Sequence, residues 1–188
     1  MEQGKCVDVV YTDFSKAFDK CETGVLLHRI RECGISGKVG LWIAAFLDSA
    51  VRKQAVGVQG RLSTLVSVIS GVPKGIVLGP FLFLIHLLGI SDNIFCETAV
   101  SSFADDTRLL RGVGSLRDCQ SLQEDLSSLY SWASEVGMSF NAGKFEHLRF
   151  GSTEENVFQY LAPDGSIIQT KESLRDLGVR IISNLSFT

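Results

Sequence analysis

Asp105 and Asp106 stand side by side, between an apolar run ending at Phe103-Ala104 and a second run, Leu109-Leu110. Apolar segments flanking a short polar tip predict a β-hairpin with both acids at its turn. Adjacent carboxylates repel, and a purely structural turn more often uses one Asp with Gly or Asn. A divalent cation removes that repulsion, and Mg²⁺ is typically held by one or two carboxylates plus substrate phosphates. Taken alone, such a pair is usually just a solvated loop. A second acid far upstream changes the balance. The stretch Val7 to Tyr11 reads as a buried strand, and Asp13 falls just past its end. An acid at a strand tip and an Asp-Asp hairpin can converge on two metal ions, the arrangement that serves phosphoryl transfer.

Five blocks in order carry a family resemblance: Asp13-Phe14-Ser15-Lys16-Ala17-Phe18-Asp19, the loop Ser70 to Pro80, Phe103-Ala104-Asp105-Asp106, Phe140-Asn141 with Lys144, and Asp176-Leu177-Gly178-Val179. Together they resemble the palm of reverse transcriptases, specifically those of non-LTR (LINE-type, jockey-like) retrotransposons. The resemblance implies an α+β fold, a polymerase palm-like antiparallel sheet with covering helices, in which fingers and thumb are largely absent. Residues 1–151 would form the palm-like domain. Residues 152–188 would form a C-terminal hairpin and a primer-contact-like segment leading towards a missing thumb.

The implied activity is RNA-directed DNA polymerisation, with an RNA template, a DNA primer and deoxynucleoside triphosphates as partners. A primer 3′-hydroxyl would attack the α-phosphate of a deoxynucleotide and release pyrophosphate. Asp13 and Asp105 would hold two Mg²⁺ ions (or Mn²⁺) with Asp106 helping, and Lys144 would neutralise the triphosphate or protonate the leaving pyrophosphate. Phe14, Phe18, Pro73, Lys74 and Gly75 would contact the nucleotide, with Phe18 beneath the sugar excluding a 2′-hydroxyl. As a residue type Phe is more commonly core, but the surrounding block favours Phe18 as the gate, whereas an acid at Asp19 more often serves a local turn or cap than a metal. The chain departs from the family pattern at Lys74 (usually glutamine), Ile76 (usually serine), the 86–90 segment and Phe145 (usually cysteine). A second reading is therefore a catalytically decayed or co-opted palm fragment that acts as a folded or interaction module. A third is another palm-type nucleotidyl enzyme such as a cyclase, which the Gly-Val-Pro and Phe-Ala-Asp-Asp blocks disfavour.

The elements that must position these residues follow from pattern. Residues 6–14 predict the first strand. Thr23 can cap a helix with Val25, Leu26, Leu27 and Ile30 on its buried side, ending at Gly34. Ser36 can cap a second, with Val39, Trp42, Ile43, Phe46 and Leu47 at helical spacing. Residues 53–58 and 63–69 predict a hairpin around Gln59-Gly60, and 77–88 a buried apolar helix. Ser115 and Asp118 begin a long helix with a stripe from Leu116 through Leu122, Leu126 and Leu129 to Val136, closed by Gly137. Residues 147–150 predict a strand, 152–156 a polar connector, 158–168 a hairpin turning at Pro163-Asp164-Gly165, and 174–182 one strand.

Composition bounds the rest. Hydrophobic content of 45% with 21% charged residues is globular. Five cysteines without Cys-x-x-Cys spacing and three scattered histidines argue against zinc and for reduced thiols in an intracellular compartment, nucleus or cytoplasm. The apolar run from Ile76 to Ile90 is too short and broken for a membrane span. A net charge of −3 with no basic stripe predicts weak grip on template and very low activity for the chain alone.

Overall fold

The structure, a computed structural model, describes residues 6–95, 97–151 and 158–183. In chain order the elements are β1 (Cys6–Asp13), α1 (Ala17–Lys20), α2 (Thr23–Glu32), α3 (Gly37–Leu47), β2 (Lys53–Gln54), β3 (Gly57–Val58), β4 (Arg61–Leu62), β5 (Val66–Ser67), α4 (Leu78–His86), β6 (Thr98–Phe103), β7 (Asp106–Val113), α5 (Leu116–Glu135), β8 (Glu146–Phe150), β9 (Gln169–Lys171), β10 (Ser173–Asp176) and β11 (Val179–Ile182). They divide into two compact units. One takes residues up to 15, 90–135 and 139 onwards; the other takes 16–89 and 136–138.

The first unit is built on a five-stranded sheet, order β6-β7-β1-β8-β9. Its pairs are antiparallel except β8 with β9, which run parallel. β-Branched residues and burial on both faces suit β1 to a central position, and its successive side chains point to opposite faces. Val9 turns to one face, where it clusters with Leu148, Phe150 and Leu174, flanked by Val7, Tyr11, Leu110 and Ile181. Val10 turns to the other, opposite Leu109 and His147 in register. The α5 helix covers that second face: its Asp125 lies 3.6 Å from Arg111 of β7, and its Cys119 lies 3.9 Å from Arg149 of β8. Ser115 and Asp118 form the expected reciprocal cap, with the Ser115 hydroxyl donating to the Asp118 carboxylate (2.8 Å) and accepting from its amide (3.3 Å). The predicted stripe is buried at Cys119, Leu122, Leu126, Leu129 and Ala133, whereas Leu116 is exposed.

One local reading is corrected in this unit. Residues 174–182 are not one strand but the hairpin β10–β11, with Asp176 opposite Val179 across the two-residue loop Leu177-Gly178. Both loop residues have positive φ (46° and 88°), the geometry that suits the twist of a tight hairpin. Residues 169–171 add the parallel edge strand, which sequence pattern did not reveal. The 158–168 turn is present as a bridge between Leu161 and Ile167. The predicted connector 152–156 lies outside the described residues. Residues on both sides of the expected 151/152 division belong to this one unit.

The second unit packs α2, α3 and α4 around Leu26, Ile30, Ile43, Leu47, Leu82 and Phe83. Its ribbon pairs β2 with β5 and β3 with β4, turning at Gln59-Gly60 as predicted. Two readings fail here. Trp42 is exposed rather than core, stacked on Phe46, because α3 buries only Ile43 and Leu47. Thr23 is the first helical residue of α2; the cap position is Glu22, without a side-chain capping bond. Among the described residues, no helix is long and apolar enough to cross a membrane.

Candidate active site

The strand register decides where the acids go. Asp13 ends β1 and Asp106 begins β7, and the two are directly opposite each other. Like charges directly opposite in a sheet are destabilising, so this pairing does nothing for the fold. Phe103 pairs with Asp106, which leaves Ala104-Asp105 as a two-residue loop. Ala104 takes φ 54°, a left-handed conformation that costs an L-residue about 1–2 kcal/mol. The hairpin thus sets Asp105 in the turn immediately beside the Asp13–Asp106 pair.

Lys144 arrives from the far side. Phe140 bridges Phe14 antiparallel, the Asn141 amide donates to the Asp13 carbonyl (2.8 Å), and the Ser15 amide donates to the Ser139 carbonyl (2.7 Å). One 3₁₀ turn, Ala142–Lys144, then places the Lys144 ammonium 3.1 Å from the Asp13 carboxylate. Asp13, Asp106 and Lys144 line a cleft of about 150 Å³, with Tyr11, Arg108 and Asp176 on its walls. Within it the Asp106 carboxyl is pushed above its ordinary pKa, first by partial burial and then by the charges of Asp105 and Asp13. Lys144 and Arg108 oppose the shift without cancelling it. Among the described residues no three or more His, Cys, Asp or Glu side chains are grouped closely enough to hold a metal ion by themselves.

The nucleotide-contact candidates are distributed differently. Phe14 belongs to the first unit, but its ring is 3% exposed, stacked on Phe140 at 4.3 Å and edge-on to Trp132. That ring is packing, and a nucleotide cannot reach it. Phe18, Pro73, Lys74 and Gly75 are gathered in the second unit. Phe18 is half-buried and stacked on Phe83 at 4.3 Å. The 70–74 loop is stitched to residues 18–21: the Gly71 amide donates to the Cys21 carbonyl, the Val72 amide to the Phe18 carbonyl, and the Ser70 hydroxyl to the Asp19 carbonyl. Gly71 has φ 83°, and a Cβ there would sit 2.8 Å from the Asp19 Cα, so only glycine fits. Lys74, which stands where the family carries glutamine, has its ammonium 2.8 Å from the Asp19 carboxylate in an exposed ion pair.

Sequence reading missed two buried charge networks on the α5 side of the sheet. Asp8, fully buried, accepts from Arg149 Nε (2.5 Å) and Nη2 (2.6 Å) and from the Tyr160 hydroxyl (2.6 Å), with His147 Nε2 at 3.2 Å. Asp125, also fully buried, accepts from the Phe95 amide (2.8 Å) and the Thr98 hydroxyl, which in turn accepts from Arg111 (2.9 Å). The available signal was an acid inside an otherwise apolar pattern: Asp8 between Val7 and Val9, and Asp125 beside Leu126 in the α5 stripe.

With this geometry in hand, the comparisons with known proteins are consistent. A family model described as reverse transcriptase (RNA-dependent DNA polymerase) matches residues 1–181. The RNA-directed DNA polymerase from mobile element jockey of Drosophila funebris is 25% identical over 197 residues, covering 100% of this chain and 21% of its own length. The retrovirus-related Pol polyprotein from type-1 retrotransposable element R2 of Popillia japonica is 29% identical over 153 residues, covering 76% of this chain and 24% of its own. The chain therefore spans about a fifth to a quarter of these relatives. Among solved structures, telomerase from Candida tropicalis in complex with a fragment of telomeric RNA superposes with TM-score 0.65 at 12% identity, over 98% of this chain and 30% of that one. At that identity the likeness shows the fold: a sheet of this kind with its covering helices.

Proposed function

Since the chain belongs to the reverse transcriptase (RNA-dependent DNA polymerase) family, we propose that the Asp13–Asp106 cleft is a nucleotidyl-transfer centre extending a DNA primer on an RNA template, in the nucleus or cytoplasm. The observation that carries this reading is the register placing Asp13 opposite Asp106, with Asp105 in the adjoining turn and Lys144 on Asp13. The fold gains nothing from two facing acids, whereas a cation and a triphosphate would use both.

The donor set fits a divalent metal. Hard oxygen ligands are what Mg²⁺ and Mn²⁺ take, and one or two carboxylates suffice when substrate phosphates complete the shell. Asp13 and Asp106 would hold it, with Asp105 assisting. Bound there, a pair of such ions would supply activation of the attacking hydroxyl and charge stabilisation at the triphosphate. The protein's own residues do the remainder. Lys144 holds a proton at Nζ within reach of the cleft, available to a leaving pyrophosphate once it exchanges Asp13 for phosphate oxygens. Phe18, Pro73, Lys74 and Gly75 take nucleotide-facing roles on the strength of their block, with Lys74 acting through Asp19.

Incorporation of a single deoxynucleotide onto a primer annealed to RNA tests this. We expect slow extension that requires Mg²⁺ or Mn²⁺ and is abolished by Asp105→Asn and by Asp106→Asn. Extension that survives both substitutions contradicts the assignment. A second reading, a folded module without catalysis, is favoured by one observation: Lys74 stands where the family carries glutamine. Metal binding with no extension under any condition would select that reading.

A further inference from the structure

Arg108 stands two residues beyond Asp106 on β7 and therefore projects to the same face of the sheet, opposite Tyr11 in register. Its guanidinium lies 5.9 Å from the centre of the Tyr11 ring, within cation–π range. Its Nη1 is paired with the carboxylate of Asp176, the last residue of β10. Both side chains are substantially withdrawn from solvent, 27% and 12% exposed.

The hairpin that carries Asp176 already has an anchor. Leu174 is buried among Val9, Leu148 and Phe150, with Ile181 packed beside it. The backbone of Asp176 is paired with Val179. Stability of the hairpin root does not need the ion pair, and withdrawing two charges from water is an inefficient way to gain it. What the pair adds is placement. At the tip, Leu177 lines the cleft that Asp13 and Asp106 also line, together with Arg175 and Asp176 of β10. Arg175 folds back on its own tip, its Nε donating to the Gly178 carbonyl (3.4 Å), so it gives the tip no hold on the sheet.

We propose that Arg108 and Asp176 are a positioning pair that fixes the 176–179 tip as a rigid wall of the carboxylate cleft. The inference rests on the function proposed above for what occupies the cleft, namely a metal-bound deoxynucleoside triphosphate. The wall itself is a property of the chain alone. Breaking the pair leaves the Leu174 root in place and lets the tip swing from the carboxylates, widening the cleft and loosening its occupant.

Amide hydrogen exchange on the 188-residue chain tests this without any ligand, comparing wild type with Asp176→Asn and Arg108→Met. The first variant is isosteric, so it remains informative if the second folds poorly. We expect exchange at residues 177–180 to rise about tenfold or more while β1 and β7 keep their protection, since local opening is separable from global unfolding. Calorimetry with Mn²⁺ plus a deoxynucleoside triphosphate should then show binding weakened about tenfold in Asp176→Asn, in keeping with the sensitivity of such sites to small misplacements. Unchanged exchange at the tip overturns the proposal. A rise spread equally over β1 and β7 also overturns it, by making the pair a general stabiliser. If the tip opens as expected but Asp13→Asn leaves Mn²⁺ binding intact in wild-type background, the positioning pair stands and the proposed function fails.

Discussion

Asp8 and Asp13 lie on the same strand and meet opposite electrostatic fates. Burial by itself would raise the Asp8 carboxyl, but hydrogen bonds from Arg149, His147 and Tyr160 outweigh it and hold the pKa down at about 2. Asp8 accepts two hydrogen bonds from Arg149 and one from Tyr160, and the residue ties β1, β8 and the 160 segment together. At the strand's end the acids face each other, share one lysine, and Asp106 is pushed up instead. The difference separates structure from chemistry. A carboxylate that the fold needs is saturated with donors; carboxylates the fold tolerates are left short of positive charge, in a cleft.

Substitution of the two kinds of acid should break or sharpen that contrast. The largest effect is expected at Asp8, where Asp8→Ala strands a buried guanidinium and should cost about 3–5 kcal/mol in urea unfolding. Asp106→Asn should leave stability unchanged or slightly raised, because it removes a facing like charge. A loss below about 1 kcal/mol for Asp8→Ala would erase the distinction. Next comes His86 of the second unit, fully buried on α4. Burial pushes its pKa down to about 4, the Val136 backbone offsetting this only in part, with neither ring nitrogen in a well-aligned hydrogen bond. A lowered folded pKa means the unfolded chain binds the extra proton. Stability should therefore fall as pH drops below about 6.5 and level off near 4, by roughly 3 kcal/mol in all. His86→Leu should flatten that window, and an unflattened profile would assign it to other groups.

Smaller effects follow. Tyr160→Phe removes one donor to Asp8 and should cost about 1–2 kcal/mol in the same unfolding measurement. Smallest is Lys144→Ala. Its ammonium is 63% exposed, so its pairing with Asp13 is worth little to the fold. Because it competes with any cation for Asp13, its removal should tighten Mn²⁺ binding by about two- to fivefold while slowing extension. Weaker Mn²⁺ binding in Lys144→Ala would mean the lysine supports the metal rather than competing with it.

The parts of this molecule that were legible in its sequence are the local ones. The Phe103-Ala104-Asp105-Asp106 hairpin, the Ser115/Asp118 cap and the turn at Gln59-Gly60 are set by residues within a few positions of one another, and the structure has them. The sheet with covering helices followed from the family resemblance, and its long covering helix from the α5 stripe. What was not legible depends on partners distant in sequence. Asp8 reads as a flaw in an apolar strand until Arg149 and Tyr160 are folded against it. The Lys74–Asp19 ion pair shows only once the two residues are folded together. Phe14, inside a block of chemical interest, is packing because Phe140 and Trp132 converge on it. The Leu177-Gly178 turn escaped because it lacks the Asn-Gly or Asp-Gly signature of a two-residue loop.

The central claim is that Asp13 and Asp106, and not the buried acids Asp8 and Asp125, form the cation site. Calorimetric titration of Mn²⁺ into wild type, Asp13→Asn, Asp106→Asn and the helix-side variant Asp125→Asn addresses it directly. The account predicts binding to wild type and to folded Asp125→Asn, and affinity reduced about tenfold or more in each of the two cleft variants. Equal Mn²⁺ affinity in wild type and both cleft variants would contradict it.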